Sequence, residues 1–293
     1  MKYQCFEVEV DSGIAAVRLN RPRELNTMIP KFWRELRDIA LQLNADPKVR
    51  VVVLNSTGKH FSAGMHLDIF ASRDPSRYAD PARYNLVRGE SVRNFQDVIS
   101  AVERIRVPVL AAIQGGCIGG ALDLVTACDL RYATGDAFFV IQETNIGIAA
   151  DAGTLQRLPK LIPDGIAREY AYTGDRLHAD RAREIGLVNA VFTDFNEMMS
   201  AVHRTAETIA SKSPLAIAGT KSALLYSRDN SVGEGLDRIA VWSAAALSSH
   251  DMREALRANA TANQPSSPTS QTSNGIFEDH ASVATRYGFL LHR

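Results

Sequence analysis

Residues 107–124, VPVLAAIQGGCIGGALDL, hold the reading that decides the fold. The first part is a continuous apolar run, the kind of strand that a sheet buries on both faces. Four glycines follow within six residues (115–120), and then the start of a short helix over 121–127. Glycine permits positive φ and lets a backbone approach a ligand closely. At the start of a helix the first N–H groups point outward without partners.

The pattern occurs twice. VRVVVLNS (49–56) is another buried strand, and HFSAGMHLD (60–68) is the glycine-bearing loop after it. Two N–H groups from such loops can converge on one oxygen, as an oxyanion hole requires. The plainer reading, two tight strand-to-helix turns, stays open here. The GGxxGG run lacks the spacing of a dinucleotide fingerprint, and the chain has no GKS or GKT phosphate loop.

Outward from these corners, FEVEV and IAAVRLN (14–20), separated by Asp11-Ser12-Gly13, predict a β-hairpin. Ile29, Phe32, Trp33, Leu36, Ile39, Ala40 and Leu43 recur at helical spacing and predict an amphipathic helix ending near Asp46-Pro47. A helix over 91–105, strands near 129–133 and 138–142, and a helix–glycine–strand unit in ADRAREIGLVNAVF follow. From Phe195 to about Ala258 the pattern is helical. Strands alternating with helices, then helices alone, indicate an α/β core over 1–195 and a helical module over 196–260. Residues 261–275, TANQPSSPTSQTSNG, bury too little to offset their ordering entropy, so 261–293 is expected to be a disordered polar tail.

The bulk numbers exclude several classes. Lys plus Arg equals 33 and Asp plus Glu equals 33, which leaves no long-range attraction to nucleic acid or an anionic membrane. No run of 18 apolar residues predicts a transmembrane helix. Cys5, Cys117 and Cys128 have no metal-ligand spacing and read as small buried hydrophobes. The start, MKYQCFEVEV, carries neither a signal-peptide nor a transit pattern, and the final LHR is no SKL-type signal, so a soluble protein is expected.

Three ordered blocks, FSAGMHLD, QGGCIGGALDLVTACDLRY and ETNIGIAADAGTLQRLP, resemble the signature blocks of the crotonase (enoyl-CoA hydratase/isomerase) superfamily. The resemblance covers about residues 3–258. It implies an α/β crotonase fold, a spiral of ββα units with trimer-forming C-terminal helices, and assembly as a homotrimer or dimer of trimers. It implies an acyl-coenzyme A substrate held by Ala63, Gly64, Met65, Gly119 and Gly120. The thioester oxygen would sit between the backbone N–H groups of Met65 and Gly120. A peroxisomal or mitochondrial location follows from the same resemblance, with no nucleic acid, metal or separate cofactor, coenzyme A being part of the substrate.

Hydratases of the superfamily place two glutamates where this chain has Asp123 and Glu143, and a glycine-rich turn where it has Asp151. The set Asp123, Glu143, Asp151 resembles instead the members that move two conjugated double bonds one position toward the thioester. That reaction takes a proton from C2 and delivers one to C6, ends that no single side chain spans. By resemblance Glu143 serves C2, Asp151 serves C6, and Asp123 orients or polarises the site. Carboxylates titrate near ~4 when free, and burial by Ile146, Ile148, Ala149 and Ala150 is expected to raise them.

Each acid also has a structural reading. Asp151 is positioned to N-cap the helix AGTLQRL, Asp123 suits the dipole of its own helix, and Glu143 at a strand end reads equally well as solvated. His60 and His66 read as satisfied or exposed histidines. Lys221 and Arg228 are expected either near coenzyme A phosphates or as solvated cations, and Trp33 and Trp242 as packing. Rival functions are an enoyl-CoA hydratase and a non-catalytic or RNA-binding relative. The helix over 30–44 interleaves Lys31, Arg34 and Arg37 with Glu35 and Asp38, a weak electrostatic site.

Overall fold

A hairpin opens the chain: β1 (Phe6–Asp11) and β2 (Ile14–Leu19) pair antiparallel around Ser12-Gly13, both at positive φ. The computed structural model describes residues 3–66, 69, 80–246 and 249–262. Helix α1 (Pro30–Ala45) buries the predicted stripe and also Glu35. The Glu35 carboxylate accepts the N–H groups of Gln4 and Cys5 at 2.9 and 2.8 Å, which ties the start of β1 to α1.

Strand β3 (Val51–Ser56) is buried throughout. Helix α2 (Pro81–Glu103) starts well before the predicted Ser91. Asp80 caps it by accepting the Ala82 N–H, and Pro81 supplies the preset first turn. Strand β4 (Val109–Ile113) leads through β5 (Gly116–Ile118) into α3 (Gly120–Thr126). Strands β6 (Leu130–Thr134) and β7 (Phe138–Val140) follow. The second was expected to reach residue 142, but the chain turns at Ile141 into the one-turn helix α4 (Gln142–Asn145). Glu143 therefore sits on a helical turn rather than at a strand end.

The chain continues as α5 (Thr154–Arg157), α6 (Asp164–Thr173), β8 (Leu177–His178), α7 (Ala179–Glu184) and β9 (Ala190–Phe192). A six-stranded sheet runs β1-β2-β3-β4-β6-β9, parallel after the first pair, and a small sheet runs β5-β7-β8. One face of the large sheet packs on the cluster containing Phe32, Leu36, Ile99 and Leu124. On the other face, Val51, Val53, Leu110 and Ala112 meet Met198, Val202 and Ala206 of α8 (Phe195–Ala210). Because β4 is buried on both faces, the turn that follows it is fixed to the core, and this places the glycine corner.

Helices α9 (Pro214–Asp229), α10 (Val232–Ala246) and α11 (His250–Ala262) complete the described chain. Lys221 is neither a solvated cation nor free for a phosphate. It is 6% exposed, and its Nζ donates to Val107 O at 3.0 Å and to Asp129 Oδ2 at 2.7 Å, anchoring α9 to the sheet. Arg228 is likewise engaged, with Glu103 and Asp229. The Trp33 ring is buried and stacks against Phe95, while the Trp242 indole covers Gly219, where a side chain would overlap it. One compact unit runs to Arg253, and a second begins at Glu254. Apart from Thr261 and Ala262, the polar tail lies outside the described residues. Among the described residues no helix is long and apolar enough to cross a membrane.

Candidate active site

The two glycine corners touch. Gly64 has φ of +83°, and a side chain there would overlap the Ile118 carbonyl, with its first carbon 3.6 Å from Gly120 N. Only glycine gives both the left-handed backbone and the close approach. Gly119, at φ +54° and ψ −121°, turns the chain so that Gly120 N–H opens α3. Among the described residues neither Met65 N–H nor Gly120 N–H donates to a protein acceptor. Both donors border a cavity of about 760 Å³ whose walls include Ala63, Gly64, Met65, Gly119, Gly120 and Glu143. Leu67 and Asp68, at the end of the first loop, lie outside the described residues.

The first corner is held by a segment that the sequence reading passed over, residues 21–28. Met28 N–H donates to Gly64 O (2.8 Å), Ala63 N–H to Leu25 O (3.0 Å) and His66 N–H to Met28 O (3.2 Å). Ser62 Oγ donates to Asn26 O and accepts from Gly64 N–H. Leu25 and Asn26 are both left-handed, at φ +51° and +53°. The buried Asn26 amide donates to Thr57 O and His60 O, and its Oδ1 accepts Arg21 N–H. The local signal was the Arg-Pro turn and an asparagine, the residue that tolerates this conformation best after glycine. His60 is satisfied: its Nδ1 accepts Gly116 N–H at 2.9 Å. His66 lines the cavity.

Glu143 reaches the second corner. Its Oε1 lies 3.1 Å from where a side-chain carbon on Gly119 would be, so that glycine also makes room for the carboxylate. The α4 turn is pinned by Thr144 Oγ1 donating to Ala171 O (2.8 Å) and Asn145 Nδ2 donating to Gly174 O (3.0 Å). Burial, then the neighbouring Asp123 and Asp151 charges, push the Glu143 carboxyl up to about 7. The rise agrees with expectation, but the expected surroundings do not supply it. Ile146 and Ala149 are exposed and Ile148 is half-buried, because residues 146–149 leave α4 in a surface turn. Of that apolar group only Ala150 is buried.

Asp123 lies beneath the corner at 1% exposure, pointing from α3 toward α5. Its Oδ1 accepts Thr154 N–H at 2.6 Å. The cap expected from Asp151 is thus made by Asp123 instead, since α5 has Gly153 at its N-cap and no cap from its own segment. Burial raises Asp123 to about 6, the Thr154 bond opposes this, Asp151 adds to it and Arg157 opposes it. Asp151 is exposed and is absent from the cavity wall, although its charge acts on both other acids. Its carbonyl accepts Gln96 Nε2 at 2.7 Å. Among the described residues no cluster of three His, Cys, Asp or Glu is placed to hold a metal ion.

The paired corners with a carboxylate over them are matched by residues 9–265, which fit the family model Enoyl-CoA hydratase/isomerase. The chain belongs to that family. The peroxisomal Delta(3,5)-Delta(2,4)-dienoyl-CoA isomerase of Arabidopsis thaliana is 40% identical over 90% of this chain and 96% of its own. The mitochondrial enzyme of that name from Mus musculus is 43% identical over 87% of this chain and 79% of its own. Crotonyl-CoA hydratase of Syntrophomonas wolfei is 32% identical over 76% of this chain. Among solved structures, an enoyl-CoA hydratase from Bacillus anthracis superposes with a TM-score of 0.81 at 31% identity, covering 89% of this chain and 98% of that one. The crotonase fold expected from the sequence is the fold observed.

Proposed function

We propose that this family member isomerises 3,5-dienoyl-CoA to 2,4-dienoyl-CoA in the oxidation of unsaturated fatty acids. The observation that carries the reading is a glutamate pushed up to about 7, sharing one cavity with the Met65 and Gly120 N–H groups, which are unpaired among the described residues, with two further carboxylates acting on it. The names of the 40–43% identical relatives support the same reaction.

In this reading the thioester oxygen accepts Met65 N–H and Gly120 N–H, with Ala63, Gly64 and Gly119 shaping the backbone around it. Glu143, ionised, takes a proton from C2. The C2–H electrons spread over the thioester oxygen, C2, C4 and C6, and the two N–H groups stabilise the resulting oxyanion. Asp151, exposed to solvent, relays a proton from water to C6, the electrons settle as the 2,3 and 4,5 double bonds, and Glu143 returns its proton to solvent. A carboxyl poised near 7 suits a base working at neutral pH, where positioned proton transfer contributes roughly 10²–10⁴-fold. Asp123 stays out of contact with carbon and acts through its charge. Only protons move, so the chemistry calls for no redox group or metal, and coenzyme A enters as part of the substrate.

The exposed Asp151 is the feature that leaves room for the second reading, hydration of a 2-enoyl-CoA by Asp123 and Glu143. Rising ultraviolet absorbance of the 2,4-diene supports the isomerase; crotonyl-CoA hydration without diene formation would replace it. Deuterium exchange divides the roles: Glu143→Gln is expected to lose exchange mainly at C2 and Asp151→Asn mainly at C6. Equal loss at both carbons in both variants would reject the two-ended mechanism.

The protein would work as a homotrimer or a dimer of trimers. No residue of α10 is buried, and Val232 and Leu236, one turn apart on the same side, are 78% and 62% exposed, an apolar face suited to another subunit. A peroxisomal or mitochondrial site would follow the named relatives.

A further inference from the structure

We propose that Arg157 is a positioning residue of this acidic site. Its guanidinium, clamped to α2, holds the Gly153–Thr154 backbone so that Thr154 N–H meets the buried Asp123 carboxylate beside Glu143.

The geometry begins away from the cavity. Arg157 is only 9% exposed. Its Nε and Nη2 reach Glu103 at 3.0 and 3.1 Å, and Nη2 also donates to Ser100 Oγ at 3.0 Å. A forked donor satisfied by both oxygens of one carboxylate has little rotational freedom left. The guanidinium lies directly over Gly153, at φ +135°, where any side chain would overlap it. Gly153 N-caps α5, and the next residue, Thr154, supplies the N–H that Asp123 accepts. A chain of contacts therefore runs from Glu103 through Arg157 and Thr154 to Asp123, and Asp123 in turn acts on Glu143.

The charges around this chain set its direction. Arg157 faces Glu103 on α2, with Arg228 of α9 on the same carboxylate and Asp229 and Lys160 paired beyond it. Burial would raise Glu103, but Arg157 and Arg228 outweigh it and hold that carboxyl low. Asp123 faces Asp151, Glu143 and Cys117, none of which favours its ionised form. The Thr154 bond to Asp123 opposes them most, and Arg157 adds a cation that opposes them too. An ionised Asp123 then raises Glu143, which gives the proposed base its pKa. Without Arg157, Asp123 would hold its proton to higher pH and Glu143 would ionise more readily.

This rests on the isomerase reading for its kinetic arm only. The pH dependence of kcat/KM for diene formation and an infrared titration of ¹³C-carboxyl-labelled aspartate are measured on the same full-length variants. Arg157→Gln is expected to move the acid limb of kcat/KM to lower pH. The titration of the Asp123 band, assigned by its loss in Asp123→Asn, should move to higher pH. Arg157→Lys keeps the charge and loses the fork, and its Asp123 titration should fall between the other two. A folded variant of either kind with Asp123 unmoved and activity lowered evenly at every pH overturns the proposal. Wild-type protein that forms no diene would reject the isomerase reading, while the infrared titration would still decide the role of Arg157.

Discussion

The glycine corners and helix α10 place apolar and polar groups in opposite ways. At the corners, even a carboxylate is buried, with Asp123 accepting a backbone N–H from a distant segment. In α10, Val232, Leu236 and Val241 are exposed, and no residue is buried. The corners are completed by the chain's own backbone, so their geometry is fixed at the cost of charges held in poor solvent. The α10 face is left uncovered among the described residues. Rigidity and incompleteness are thus separated, with the anchored helix α9 between them.

The largest effect is expected where the backbone itself is the working part. Gly64→Ala forces a left-handed alanine against the Ile118 carbonyl and displaces Met65 N–H. A kcat loss of roughly 10²–10³-fold should follow, as for removal of one oxyanion donor; an active Gly64→Ala enzyme would show the corner to be merely a turn. Next, Lys221→Ala strips the buried partner from Asp129 and Val107 O. Denaturant unfolding should show a loss of about 3 kcal/mol, and a negligible change would mean α9 is held by its apolar contacts alone.

A smaller effect of opposite sign is expected at Glu143. Its folded pKa, about 7, lies above its ordinary 4.5, so the native state binds the proton more tightly than the unfolded chain. Stability from this group falls as pH rises between those values and stays lost above them. Glu143→Gln should therefore be more stable than wild type at pH 8 by about 1–2 kcal/mol and no different near pH 4. A variant less stable at pH 8 would show that the carboxylate is held by favourable contacts instead. The smallest effect on the single chain is expected on α10: Leu236→Ser should change monomer stability by less than ~0.5 kcal/mol. Sedimentation should nevertheless show weakened subunit association, and unchanged association would move the subunit interface elsewhere.

Short-range regularities were what the sequence displayed. The α1 stripe, the two buried strands and the glycine corners each follow from neighbours within a turn or a strand, and all appear as expected. Glu143 was legible through the resemblance of its block to the superfamily signature. Its turn was not, since α4 is one turn long and its support comes from Ala171 and Gly174. The hydrophobic run 146–150 suggested burial because composition does not say which side of a surface turn faces solvent. Arg157 and Glu103, 54 positions apart, carry no local pattern linking them. The start of α2 at Pro81 was missed, because its first turns are too polar and exposed for periodicity to show.

The backbone of one loop rests on the backbone of the other at Gly64 and Ile118, with no side chain between them. The gap between the two N–H donors is therefore a ruler cut from peptide units, which substitution cannot lengthen by small steps. In the proposed reading, preference among acyl chains would be set elsewhere on the cavity wall, where side chains can change size without altering the spacing of the two N–H groups.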